Sequence, residues 1–134
     1  MAENRDFYAL AARNGVEVLT MRMPESGSMS AEVNGRGYIG LDSSRAMTAG
    51  EEQAHLGHEL GHCLYGGFYT RGAPYDVAER HEARADKWYI RQAIPRETLF
   101  GLLRRGYDAW EIADRLNTTE EYVRRAYYYY RENP

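Results

Sequence analysis

The residues whose types and spacing could do chemistry are concentrated in His58-Glu59-Leu60-Gly61-His62. On an α-helix, residues four apart lie one turn above each other on one face, so His58 and His62 can aim both imidazoles at a common point with Glu59 beside it. Two neutral nitrogen donors and a carboxylate able to hold a water are what a hydrolytic zinc site needs, and the H-E-x-x-H spacing marks metallopeptidases. A solvated helical face would carry the same residues without any metal. A third ligand and the surrounding elements have to decide.

Glu82 is the leading candidate for that ligand, twenty residues beyond His62 and on the next expected helix. Asp86 follows four residues later on the same face, where it can accept a hydrogen bond from the far nitrogen of a ligand histidine; pairing with Arg84 or Lys87 is its plainer role. A Gly and a third His at three and six residues past His62 would define a different zinc motif, but those positions hold Tyr65 and Phe68. His55 lies outside the pattern and reads as partly exposed, and His81 points about 100° away from Glu82 on a helix. Cys63 reads as a packing residue against a sheet.

The elements that must position these groups are legible in order. Asp6 to Asn14 carries Phe7, Leu10 and Ala11 at helical spacing and stops at Asn14-Gly15. Val16 to Met21 reads as a strand, and Ser30–Val33 and Gly37–Leu41 as two more, joined through Asn34-Gly35-Arg36, a strong hairpin signal. A small antiparallel sheet is expected, with one face to be covered. Thr48 and Glu51 form a capping box that starts the H-E-x-x-H helix near Thr48 or Ala49, to run to about Tyr65 before Gly66-Gly67. Gly57 and Gly61 inside it cost roughly 1 kcal/mol each relative to alanine, which suggests close packing of this helix on the sheet. A loop from Phe68 to Asp76, a helix from Val77 to Ala93 and a break before Pro95 follow. Three short helices are expected beyond Arg96.

Composition bounds the rest. The 134 residues, 43% hydrophobic and 28% charged, fit one domain, with residues 1–95 as the core and 96–134 as a helical C-terminal portion. A net charge of −3 gives no general attraction to nucleic acid or anionic membrane. One cysteine excludes an internal disulfide, and neither a signal peptide nor a membrane span is visible, so a cytoplasmic protein is expected.

Three blocks, His58-Glu59-Leu60-Gly61-His62-Cys63, Gly67-Phe68-Tyr69 and Glu82-Ala83-Arg84-Ala85-Asp86 followed by Pro95, together resemble the ImmA/IrrE metallo-endopeptidases. The compact forms found with prophages and mobile elements are the nearest in pattern, and the resemblance runs from about Val16 to Tyr130. Two positions depart from it. The family often reads Glu-x-Glu-Ala-x-x-Phe-Ala, whereas Arg84 holds the second glutamate position and Trp88-Tyr89 the Phe-Ala pair. Aligning Ala85-Asp86 puts the family's first glutamate at Glu82, with Glu79 as the fallback ligand.

The resemblance implies an α+β, zincin-like fold: a three-stranded, mostly antiparallel sheet packed on the H-E-x-x-H helix, plus a helical C-terminal portion. It also implies one Zn2+ per chain, and as substrate a helix-turn-helix repressor whose cleavage releases prophage, mobile-element or stress genes. With zinc lowering the pKa of its water to about 7, Glu59 would take the proton and pass it to the leaving amine. Tyr69 is a candidate donor to the oxyanion. The alternative is a non-catalytic zinc module, or a regulatory module acting through its C-terminal segment, where Ala113, Asn117 and Val123 sit at helix-turn-helix positions. Against DNA stand Glu120 and Glu121 at the start of the would-be recognition helix, and seven arginines balanced by seven acids over 96–134.

Overall fold

The protein is described by a computed structural model covering residues 6–23, 26–42, 44–66 and 75–134. Helix α1, Phe7–Arg13, is capped by Asp6, whose side chain accepts from the Tyr8 and Ala9 amides. Strands β1, Glu17–Thr20, β2, Ser28–Val33, and β3, Arg36–Leu41, form one sheet in the order β1-β3-β2. Asn34 and Gly35 both have positive φ, 51° and 80°, the primed turn that a two-residue hairpin requires.

The hairpin pairing β2–β3 is antiparallel as expected, but β1 runs parallel to β3, with Glu17 opposite Tyr38 and Thr20 opposite Leu41. The sheet is therefore mixed, not wholly antiparallel. The physical reason is that β1 does not turn back on β2; the chain crosses to the far edge first, so β3 comes to lie between them.

Helix α2, Ala49–Gly61, begins with the capping box: the Glu51 amide donates to Thr48 Oγ1 at 3.1 Å and the Thr48 amide to Glu51 Oε1 at 3.0 Å. It continues through a π-helical turn, His62–Gly66, so the second histidine stands where the backbone widens. Helix α3, Tyr75–Ala93, crosses α2, and α4, Arg96–Arg104, α5, Ala109–Leu116, and α6, Glu120–Glu132, complete the fold.

The two glycines of α2 serve the helix–helix crossing, not the sheet as their positions suggested. A Cβ on Gly57 would fall 2.2 Å from Tyr89 Cδ1, and one on Gly61 would fall 2.8 Å from the Ala85 carbonyl oxygen. Tyr89 and Ala85 are fully buried on α3, so the absence of two side chains lets α3 approach α2 and brings Glu82 and Asp86 over the histidines. One hydrophobic cluster runs from Phe7 and Ile39 through Leu56, Leu60 and Tyr89 to Ile112, Val123 and Tyr130. Tyr130 donates its hydroxyl to the Ile94 carbonyl at 2.8 Å, so α6 buttresses the joint at Pro95 and shares its core with the N-terminal portion.

Candidate metal centre

His58 and His62 present their rings on one side of α2, centroids 4.9 Å apart and nearly perpendicular. Glu82 on α3 meets both: Oε1 lies 2.8 Å from His58 Nε2 and Oε2 lies 3.0 Å from His62 Nε2. One ligand atom from each of the three falls within 4.8 Å of the others, a group able to hold a metal ion. The chemistry of the donors fits, two imidazole nitrogens and a carboxylate being a usual zinc ligand set; tetrahedral zinc ligands stand roughly 3.3–3.5 Å from one another, and the carboxylate oxygens of Glu82 lie 2.8 Å and 3.0 Å from the two imidazole nitrogens. Glu82 is 41% exposed while His62 is 6%, so the cluster opens to solvent on the α3 side.

Asp86 organises the far side of His58. His58 Nδ1 donates to Asp86 Oδ1 at 2.9 Å, which leaves Nε2 to face Glu82 and a metal. The same carboxylate accepts from the Tyr122 hydroxyl at 2.7 Å and from Arg125, both on α6. Burial raises the pKa of Asp86, but hydrogen bonds from His58 and Tyr122 outweigh it, and the net shift is downward. Burial likewise works against a charged His58, yet the hydrogen bonds to Asp86 and Glu82 prevail and push its pKa up to about 10 in the metal-free protein. Tyr122 is held above the ordinary phenol range by burial and by the neighbouring Asp86 charge.

Glu59 is 8% exposed and points into the same cavity as His58, Glu82 and Asp86, a space of about 440 Å³. Its Oε2 accepts from the Ser28 hydroxyl at 2.9 Å, and Ser28 Oγ lies 2.7 Å from His55 Nδ1. Cys63 is half-buried against β3, where a Cβ on Gly37 would lie 3.2 Å from its Sγ. Burial first, then the Glu59 and Glu32 carboxylates, push its thiol up to about 12.

The sequence-derived residues are thus brought together in part. His58, Glu59, His62, Glu82 and Asp86 share one centre; Glu79 is exposed and outside the three-ligand group; Tyr69 lies outside the described residues. Asp86 pairs with Arg125, not with its sequence neighbours Arg84 or Lys87. His55 is half-buried, in keeping with its reading as partly exposed, but its contact with Ser28, and the places of Ser28, Tyr122 and Arg125 in the site, are not signalled by the sequence. A hydroxyl and an imidazole three residues from His58 carry no spacing signal, and Tyr122 and Arg125 reach the centre only through the fold of α6.

In the C-terminal segment, Ala113 and Val123 are buried and Asn117 adopts the left-handed conformation, φ 53°, that ends α5. Thr118 is buried there, its hydroxyl 2.6 Å from that of Tyr89 and its backbone against Gly50 of α2. Thr119, Glu121, Tyr122 and Arg125 line the same cavity as His58, Glu59 and Glu82, so this side of α6 is turned toward α2 and α3. No helix among the described residues is long and apolar enough to cross a membrane.

What fold and site define is an α+β protein, six helices and a three-stranded mixed sheet among the described residues, with a His-His-Glu group that could hold a metal ion. No known protein family, curated protein or solved structure matches the chain.

Proposed function

We propose that the protein is a zinc-dependent, zincin-like endopeptidase of the ImmA/IrrE type. The observation that carries the reading is the convergence of His58, His62 and Glu82 in one three-donor group, with Glu59 lining the same cavity as His58 and Glu82. His58, His62 and Glu82 would hold the ion, and Asp86, accepting from His58 Nδ1, would fix the ring so that Nε2 is the nitrogen presented to it. Zinc bound there supplies Lewis acidity, polarising a peptide carbonyl and easing deprotonation of water. Glu59 takes the proton and returns it to the leaving amine, from a carboxylate already fixed at one oxygen. A structural zinc site has no use for a free carboxylate beside its ligands, which favours catalysis over a non-catalytic zinc module.

The substrate class follows the resemblance: a helix-turn-helix repressor, cut at a limited number of bonds. The acid-lined cavity, with Glu51, Glu59, Glu82, Asp86 and Glu121 in its wall, favours a protein partner over a phosphate backbone. A zinc-loaded preparation is to be incubated with helix-turn-helix repressors and with a proteome-derived peptide library, and the products read by mass spectrometry. Discrete cleavage by the wild type and none by Glu59→Gln is expected. Identical product patterns from the two would overturn the peptidase reading.

A further inference from the structure

We propose that Ser28 and His55 are positioning residues for Glu59, joined to it in an oriented hydrogen-bond chain that runs from His55 Nδ1–H through the Ser28 hydroxyl to Glu59 Oε2. This rests on the role proposed above for Glu59. The geometry is a short, buried sequence of contacts: 2.7 Å from His55 Nδ1 to Ser28 Oγ and 2.9 Å from Ser28 Oγ to Glu59 Oε2, with Ser28 5% exposed and Glu59 8%. Direction follows from counting protons. An ionised carboxylate only accepts, and a hydroxyl has one proton to give, so the Ser28 proton goes to Glu59. Its oxygen must then accept from His55, which fixes the ring as the Nδ1–H form.

The chain draws on two elements. Ser28 opens β2 opposite Leu41, and its carbonyl accepts from the Ser26 hydroxyl at 2.8 Å, so the sheet sets the position of its Oγ independently of α2. His55 stands one turn before Glu59 on α2 and is half-buried; burial, the largest cause, lowers its pKa and keeps the ring neutral near pH 7. A glutamate carboxylate alone can rotate freely about its last bond. With Oε2 tied to Ser28, Oε1 is the oxygen left to take the proton of an attacking water. His55 acts one step further out, by denying the Ser28 proton any other acceptor.

The plainer role for these contacts is a tie between β2 and α2, and the test separates the two. Protein labelled with 15N at histidine is examined by long-range 1H–15N correlation, with and without zinc. The expected result is a His55 ring protonated at Nδ1 and bare at Nε2 in the wild type, and conversion toward the Nε2–H form in Ser28→Ala. Turnover of a peptide cut by the wild type is measured in parallel on folded, zinc-loaded variants. Ser28→Ala is expected to lose about ten- to a hundredfold in kcat, the range for a hydrogen bond to a charged group, with KM unchanged. Ser28→Thr and His55→Asn, which keep a donor in place, are expected to stay close to wild type, and His55→Leu to fall. A wild-type His55 protonated at Nε2, or a Ser28→Ala kcat equal to wild type, would overturn the proposal. Absence of zinc binding or of any cleavage by the wild type strikes instead at the peptidase reading, and the tautomer measurement then decides the hydrogen-bond chain by itself.

Discussion

Replacing Gly57 by alanine tests how α3 is held over α2, the helix that carries His58. In an isolated helix the change would stabilise by about 1 kcal/mol. Here the new methyl would lie 2.2 Å and 2.4 Å from two carbons of the Tyr89 ring, which is fully buried and has nowhere to retreat. Overpacking of this kind costs about 1–3 kcal/mol. Displacing Tyr89 also breaks its hydroxyl contact with buried Thr118, now 2.6 Å, at about 1–3 kcal/mol. Taking the middle of each range, the net is a destabilisation of about 3 kcal/mol. For a chain of this length, at about 2.1 cal/mol/K per residue, that lowers Tm by roughly 10 °C. Gly101→Ala is the matched control, because a Cβ there meets nothing within 4 Å. It should gain up to about 1 kcal/mol and raise Tm by roughly 3 °C. Differential scanning calorimetry of both variants reads the contrast directly. A Gly57→Ala protein melting at or above wild type would refute the close crossing of α2 and α3, and with it the placement of Glu82 over His58 and His62.

Four further outcomes are expected. Asp86→Ala removes the acceptor for His58 Nδ1 and should weaken zinc binding about ten- to a hundredfold in competition with a chromophoric chelator; Arg125→Ala, which leaves that acceptor in place, should cost less. Because the His58 pKa rises to about 10 without metal, zinc uptake at pH 7 must expel a proton, visible as a calorimetric heat that varies with the ionisation enthalpy of the buffer. Without metal, this proton's contribution to stability is complete below about 6.5, the unfolded value, and is lost as pH rises through about 10. Cys63, its thiol pushed up to about 12, should react with a disulfide reagent at pH 8 roughly a thousandfold more slowly than a free cysteine, and normally once unfolded.

The local grammar of the chain was legible where one short segment determines the outcome. The Thr48–Glu51 box, the Asn34-Gly35 turn, the break at Pro95 and the order of helices are all set within a few residues. Contacts set by tertiary geometry were not. The parallel β1–β3 pairing depends on which strand enters the middle of the sheet, and nothing in Glu17–Thr20 specifies it. Gly57 and Gly61 signalled close approach without naming the partner, which proved to be α3. Within the site, regular helical spacing placed His58, His62, Glu82 and Asp86, whereas Ser28 and Arg125 join the centre from elements 30 or more residues away in the chain. The tyrosine-rich α6 resolves the same way: Tyr122 is turned to Asp86 and Tyr130 to Ile94, a division of labour that a run of like residues cannot reveal.

The central claim is that His58, His62 and Glu82 form a metal site with Glu59 beside it as the base. Elemental analysis of the purified protein, beside Glu82→Gln and Glu59→Gln, addresses it most directly. About one zinc per chain in the wild type and in Glu59→Gln, with loss from Glu82→Gln, is the predicted result. Full zinc retention in Glu82→Gln, or none in the wild type even after reconstitution, would contradict it.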